Sequence, residues 1–303
     1  MAAEKYTKLK DKSSENRKAR AQLLAARIVV YFILIFLTVL CLFSFYLLII
    51  NSSRSNQNLQ SGFSLAPGGY FLENLKNAWT IHETFSGLDI GRGLFNSFVI
   101  AAGSAVLTTY FSALTAYAIH VYDFKLKKFA FTFILAVMMI PTQVSALGYV
   151  KIVNMCGLEK MSYLTLIIPA ISSPVVFFYM KQYMDSILPL EIVESARVDG
   201  SGELSTFNKI VLPIMKPAIA VQAIFAFVSS WNNYFTPALL INDQDRSTLP
   251  IMIAYLRSMQ NSKDFDLGLV YMFILLSILP VMVVYIILSK SIIQGVTAGS
   301  VKG

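Results

Sequence analysis

The sequence predicts an all-α polytopic membrane protein: six transmembrane helices, with one further short helix on the cytoplasmic side between the fourth and fifth. Three observations lead there. Of 303 residues, 56% are hydrophobic and only 14% are charged, against about 25% charged in a soluble domain. Six stretches without Asp, Glu, Lys or Arg occur at 28–50, 94–121, 129–150, 161–180, 217–241 and 267–289, and a helical crossing takes about 20 apolar residues. The loops between them carry Lys and Arg unevenly, as the positive-inside rule requires.

The first span follows a polar, basic arm that holds Lys5, Lys8, Lys10, Lys12, Arg17, Lys18, Arg20 and Arg27. Its apolar run outlasts the roughly 7–15 residues of a signal-peptide core, so it reads as a retained helix. An even number of spans puts both ends on one side, and that side collects 17 of the 25 basic residues. Both termini are therefore expected in the cytoplasm. The layout is a basic arm at 1–27, helix 1 at 28–50, an outer loop at 51–93, a five-helix core at 94–293 containing the short helix 189–201, and a cytoplasmic tail at 294–303. Pro67, Gly68, Gly69 and Trp79 in the outer loop suggest a small exposed cap or lateral helix. Pro141, Pro169, Pro174 and Pro280 should kink their helices, and the small residues Ala101 to Ala105 should let a neighbouring helix approach closely.

The formal charge of +8 follows this topology and does not point to nucleic acid. Cys41 and Cys156 offer neither metal spacing nor a disulfide framework; no metal site and no cofactor is expected on this chain. No ionisable side chain interrupts the apolar runs apart from His120 at an edge, which disfavours a proton relay inside the membrane. No glycine is followed by Lys and then Ser or Thr, so the phosphate cradle of an ATPase is absent. No catalytic set of ionisable groups is apparent either, and any energy for pumping must come from another polypeptide.

The informative segment runs from Leu188 to Gly200. Pro189 suits a helix start, Glu191 complements the positive helix end, and Gly200 can take the positive φ that closes a helix. Glu194, Ser195, Ala196, Gly200, Ile210, Val211, Leu212 and Pro213 stand in the spacing that closely resembles the Glu-Ala-Ala loop of permeases from binding-protein-dependent ABC importers, with Ser195 where Ala is usual. Ala196 to Gly200 and Phe207 resemble the sugar-importing branch. The tail, with Gln294, Gly295, Thr297 and Gly299, is similar to the C-terminus of the maltose-transporter type.

That resemblance implies a coupling helix seated in a cytoplasmic ATPase: Glu194 and Asp199 would supply anionic partners, Ser195 a small side chain, and Ala196 and Gly200 close backbone approach. It implies that the flexible tail enters the ATPase dimer. The partners would be a second homologous permease, two ABC ATPases carrying ATP and Mg, and an extracytoplasmic sugar-binding protein, in the lipid of a bacterial cytoplasmic membrane. Span 5 carries Trp231, Asn232, Asn233 and Tyr234, chemistry that suits a sugar because rings cover its C–H faces and amides meet its hydroxyls. The same residues suit an interfacial belt with amides bonding helix to helix, and both readings stay open; Gln143 and Asn96 are further candidates for the lining. The competing function is a secondary carrier or channel that works without an ATPase.

Overall fold

Residues 2–158, 162–262 and 265–300 are described in the computed structural model, except the side chains of 2–22, 162 and 290–300. Among the described residues there is helix and loop and no strand. Four helices are long and apolar enough to cross a membrane, or six if each of two bent pairs counts as one crossing. Helix α1 (Ala2–Ser52) contains no Gly or Pro, and the basic arm expected before the first span forms its first turns. Beyond α1 the outer loop forms α2 (Asn56–Gln60) and α3 (Phe71–Thr80). Buried Asn74 donates to the carbonyls of Ser52 and Arg54, each at 2.9 Å. Asn56 joins the carbonyl of Phe265 to the N–H of Leu267. The loop is thus a brace between the end of the first span and the start of the last.

The second span, α4 (Ile90–Val121), is unbroken. The third is not: α5 (Lys127–Val137) and α6 (Thr142–Met155) meet at 99° beside Pro141. Proline cannot donate to the carbonyl four residues back, and its ring collides with it. In span 4, α7 (Ser162–Ile167) passes through a 3-10 turn at Ile168–Ile171 and a non-helical pair, Ser172 and Ser173, into α8 (Pro174–Ile187). Carbonyls freed inside a membrane must find donors, and α4 supplies them. Thr108 donates to Ala170 O at 2.9 Å and Ser112 to Ser173 O at 3.4 Å.

Helix α9 (Leu190–Val198) follows. Then α10 (Glu203–Thr206), a wide π turn at Phe207–Val211 and α11 (Leu212–Ile214) make one arm that meets α12 (Lys216–Trp231) at 83°. The fifth span, predicted as one run to 241, stops at Trp231 and resumes as α13 (Phe235–Leu240). Pro237 has no N–H for the carbonyl of Asn233, and the Asn233 side chain instead accepts the N–H of Thr236 at 3.3 Å. Helix α14 (Leu249–Ser258) lies in the loop before α15 (Leu267–Ser300), which contains Pro280 without a break.

The central member is α4, which packs on α8 and α12. Lipid removes the solvent drive for burying apolar groups between helices, so close packing must hold them. Ala101, Ala105, Ala113 and Ala116 are buried on α4, and a Cβ at Gly103 would come within 3.0 Å of Ile167. One buried cluster sits toward the end that carries α3 and α14, with Phe227, Trp231, Met252 and Phe273. The other sits toward the end that carries α9, with Tyr117, Phe177, Met184, Val193 and Phe207.

Candidate functional site: helix α9 and the span 5 cleft

Helix α9 starts from Pro189, whose backbone is extended, and ends as its glycine predicts. Gly200 has φ +81. The N–H of Ser201 reaches Ala196 O at 2.9 Å and that of Gly200 reaches Arg197 O at 3.0 Å, the paired bonds of a glycine-terminated helix. Its inward face consists of Val193, 1% exposed, and Ala196, 6% exposed. Glu194, Ser195, Asp199 and Gly200 face outward, with Val198 beside them at 88% exposure. Ala196 turns toward its own chain, because the three-residue step from Val193 puts both on the packed face. A Cβ at Gly200 would meet nothing of this chain within 4 Å, so within the chain this glycine answers to its φ alone.

Both ends of α9 are fastened to the C-terminal end of α4. Before it, His120 of α4 bonds through Nδ1 to Asp185 at 2.7 Å and through Nε2 to the carbonyl of Leu188 at 2.9 Å, while Lys181 pairs with the same Asp185 at 2.5 Å. After it, Arg197 Nε donates to Glu203 at 2.7 Å. The second carboxylate oxygen accepts the hydroxyl of buried Tyr117 at 3.0 Å, and the Arg197 guanidinium lies 5.4 Å from the centre of the Tyr122 ring. The hydrogen bond from Arg197 holds the Glu203 carboxyl below its ordinary value. Burial, then the bond to Glu203, pushes the Tyr122 phenol up.

The residues expected to line a path divide. Trp231 is 3% exposed, stacks on Phe227 at 5.6 Å and donates to Ser277 O on α15 at 3.1 Å. Asn96 is 2% exposed; it donates to the carbonyls of Asp245 and Ser247 and accepts the hydroxyl of Tyr163 at 2.6 Å. Both are fully engaged in holding elements together and are withdrawn from the path, since a polar group already satisfied in a dry core has little to offer a passing ligand. Asn233 does line a cleft of about 330 Å³, together with Thr142, Ser145, Tyr149, Thr165, Ser230 and Thr236. Asn232, Tyr234 and Gln143 are exposed and stand outside that lining. Gln294, Gly295, Thr297 and Gly299 fall on the helical backbone of α15, and their side chains lie outside the described residues.

The family model described as "Binding-protein-dependent transport system inner membrane component" matches residues 105–296. The chain belongs to this family. It is accordingly a multi-pass inner-membrane permease component of an ABC transport system. Among its relatives is the arabinooligosaccharides transport system permease protein AraQ of Bacillus subtilis (strain 168), 37% identical over 213 residues, which are 69% of this chain and 73% of that protein. The sn-glycerol-3-phosphate transport system permease protein UgpE of Brucella abortus (strain 2308) is 30% identical over 254 residues, 83% of this chain and 88% of the relative. A chain in the crystal structure of a bacterial ABC transporter involved in the import of the acidic polysaccharide alginate shares the fold at a TM-score of 0.68 and 19% identity, covering 87% of this chain and 95% of that one.

Sequence reasoning did not anticipate Tyr117, Tyr122, His120 and Glu203 as neighbours of α9, because they are brought there from other elements by the fold. One local signal was available. Arg197 and Glu203 carry opposite charges on either side of the turn at Gly200, and that turn folds the chain back so that they meet.

Proposed function

We propose that this chain is the membrane permease subunit of an ATP-driven importer for a carbohydrate of the di- or oligosaccharide class, and that α9 is its coupling helix. The observation that carries the reading is the outward face of α9: Glu194, Ser195, Val198 and Asp199 are presented to the exterior while Val193 anchors the helix in the inner core. An exposed acidic and apolar surface on a helix pinned at both ends suits docking into a separate motor. The chain itself would hydrolyse nothing; two cytoplasmic ATPase subunits binding ATP and Mg would do so. Closure of those subunits would drive α9 as a lever, and a second homologous permease would complete the pathway. A sugar-binding protein would deliver substrate from outside. Both termini would lie in the cytoplasm, the tail at Gln294 to Gly299 within reach of the ATPases.

The cleft at Asn233 is our candidate for this subunit's part of the path. Its polar groups are hydroxyls and one amide, with no charged side chain in its lining. That favours a neutral polyhydroxyl ligand over a phosphorylated one, for which a cation would be wanted. The relative that transports arabino-oligosaccharides points to the same class.

The test is co-expression of this chain with a partner permease, ATPase and binding protein, followed by detergent extraction and reconstitution. The ATPase should copurify, and a labelled arabino-oligosaccharide should accumulate only with ATP. Uptake without an ATPase would instead support the secondary carrier.

A further inference from the structure

Nothing in the docking surface of α9 explains how its movement would reach α4, the span at the centre of the bundle. The coupling helix is joined by the chain to α8 on one side and to the α10–α11 arm on the other, so spans 4 and 5 are pulled directly. Span 2 has no such covalent link. Its C-terminal end nevertheless meets both ends of α9, through His120 before it and through Tyr117 and Tyr122 after it.

Glu203 sits where three elements meet. One carboxylate oxygen takes the Arg197 N–H of α9, and the other takes the Tyr117 hydroxyl of α4. The carboxylate itself belongs to the first turn of α10, where the positive end of a helix favours it. The Tyr117 ring is packed at 5.4 Å from buried Phe207 in the same arm, so the hydroxyl cannot swing away freely. The Arg197 guanidinium over Tyr122 fixes the plane of the pair from the other side. A pair exposed at the surface is usually weak, but a network of four groups with a buried phenol at its base transmits direction as well as charge.

We propose that Arg197, Glu203 and Tyr117 form a clasp that carries the motion of the coupling helix into span 2, making them positioning residues for transport rather than docking or path residues. The inference rests on α9 being the coupling helix. When the clasp is intact, α4 moves with α9, and the bundle changes its opening as one body. When it is cut, the ATPase still docks on the outward face of α9, but span 2 no longer follows.

Tyr117→Phe removes one hydroxyl from a buried ring and keeps its packing, which makes it the mildest cut. Arg197→Glu and Glu203→Arg break the ion pair from each side, and the two together restore it in reverse. In the reconstituted four-component complex, each single variant should copurify with the ATPase as the unsubstituted chain does. Stimulation of ATP hydrolysis by binding protein loaded with an arabino-oligosaccharide should fall by about fivefold or more, the lower end of measured coupling effects. The Arg197→Glu, Glu203→Arg double variant should recover to within about twofold of the unsubstituted complex, since a neighbouring pair is non-additive. A merely structural role would lower the yield of all variants and leave the stimulation of the surviving complexes unchanged. Normal stimulation in Tyr117→Phe and in both charge reversals, or a double variant no better than its parents, overturns the clasp while leaving the docking role intact. If the unsubstituted chain captures no ATPase at all, the importer reading itself fails, and the clasp with it.

Discussion

The two polar regions of this permease, the end of the bundle around α9 and the amide cluster of span 5 with Asn96, use similar residue types to opposite ends. Around α9, charged side chains hold a helix rigid while its other face stays exposed; Val198 and Glu194 remain available because Arg197, Glu203 and Tyr117 do the fastening. In the membrane, Trp231 and Asn96 are the fasteners, and their polar atoms are used up on Ser277, Asp245, Ser247 and Tyr163. A polar group in a dry bundle is costly unless paired, so the first duty of an amide there is to its own chain. At the break beside Asn233, polar lining is left facing a cleft.

The sharpest break of the comparison is at Gly200. Gly200→Trp forces a side chain onto φ +81, a strain of about 1–2 kcal/mol for a non-glycine residue, and puts a large ring on the docking face. Transport and copurified ATPase should each fall by about tenfold or more, while yield of the membrane protein stays near normal. An unaffected complex would mean that this face docks nothing.

Much of this was legible in the residues. The Glu194 to Gly200 spacing announced the helix and its glycine stop, because a positive φ and a cap are local requirements. Of the four prolines expected to kink their helices, Pro141 stands at the 99° bend and Pro169 and Pro174 flank the irregular turn of span 4, while Pro280 lies inside unbroken α15. The stop at Trp231 was hidden, since an amide run reads equally as ligand lining or as the repair of a broken span. Whether Asn96 and Trp231 face a path or a partner is set by which helix lies opposite, and no local pattern encodes that. The packed side of Ala196 is set in the same way: a small residue permits close approach on whichever side the fold presents.

Asn96→Leu is the next largest effect, and it acts on stability. It strands two carbonyls and the Tyr163 hydroxyl, and should cost about 2–4 kcal/mol, read as a lower melting temperature in detergent. Asn232→Ala, at an exposed position, should stay within about 0.5 kcal/mol. Equal effects would erase the distinction between engaged and free amides.

Smaller still is the contrast across the end of α12. Trp231→Phe keeps the stack on Phe227 and loses one hydrogen bond, about 1 kcal/mol, with uptake kinetics preserved. Asn233→Ala loses the bond to the Thr236 N–H, about 1 kcal/mol, and in addition should raise the apparent KM for sugar uptake by about fivefold to tenfold, the worth of one hydrogen bond to ligand. The reverse pattern would exchange their roles.

The least effect is that of pH on the clasp. Glu203 titrates below its unfolded value because Arg197 donates to it, so its contribution is complete above about pH 4.3 and is lost only as the pH falls through the lower folded value. Between pH 5.5 and 8 the stimulation of ATP hydrolysis should show no step that Glu203→Gln removes.

The central claim is that the outward face of α9 plugs into a separate motor, and Val198 is the place to ask, being 88% exposed there. Val198→Cys, with the exposed thiols Cys41 and Cys156 replaced by Ser, should give a short thiol-to-amine bifunctional crosslink to the ATPase subunit in the assembled transporter, with a yield that changes when ATP is bound. A thiol at 198 that reacts only with membrane-partitioned reagents and never with the ATPase would contradict the account.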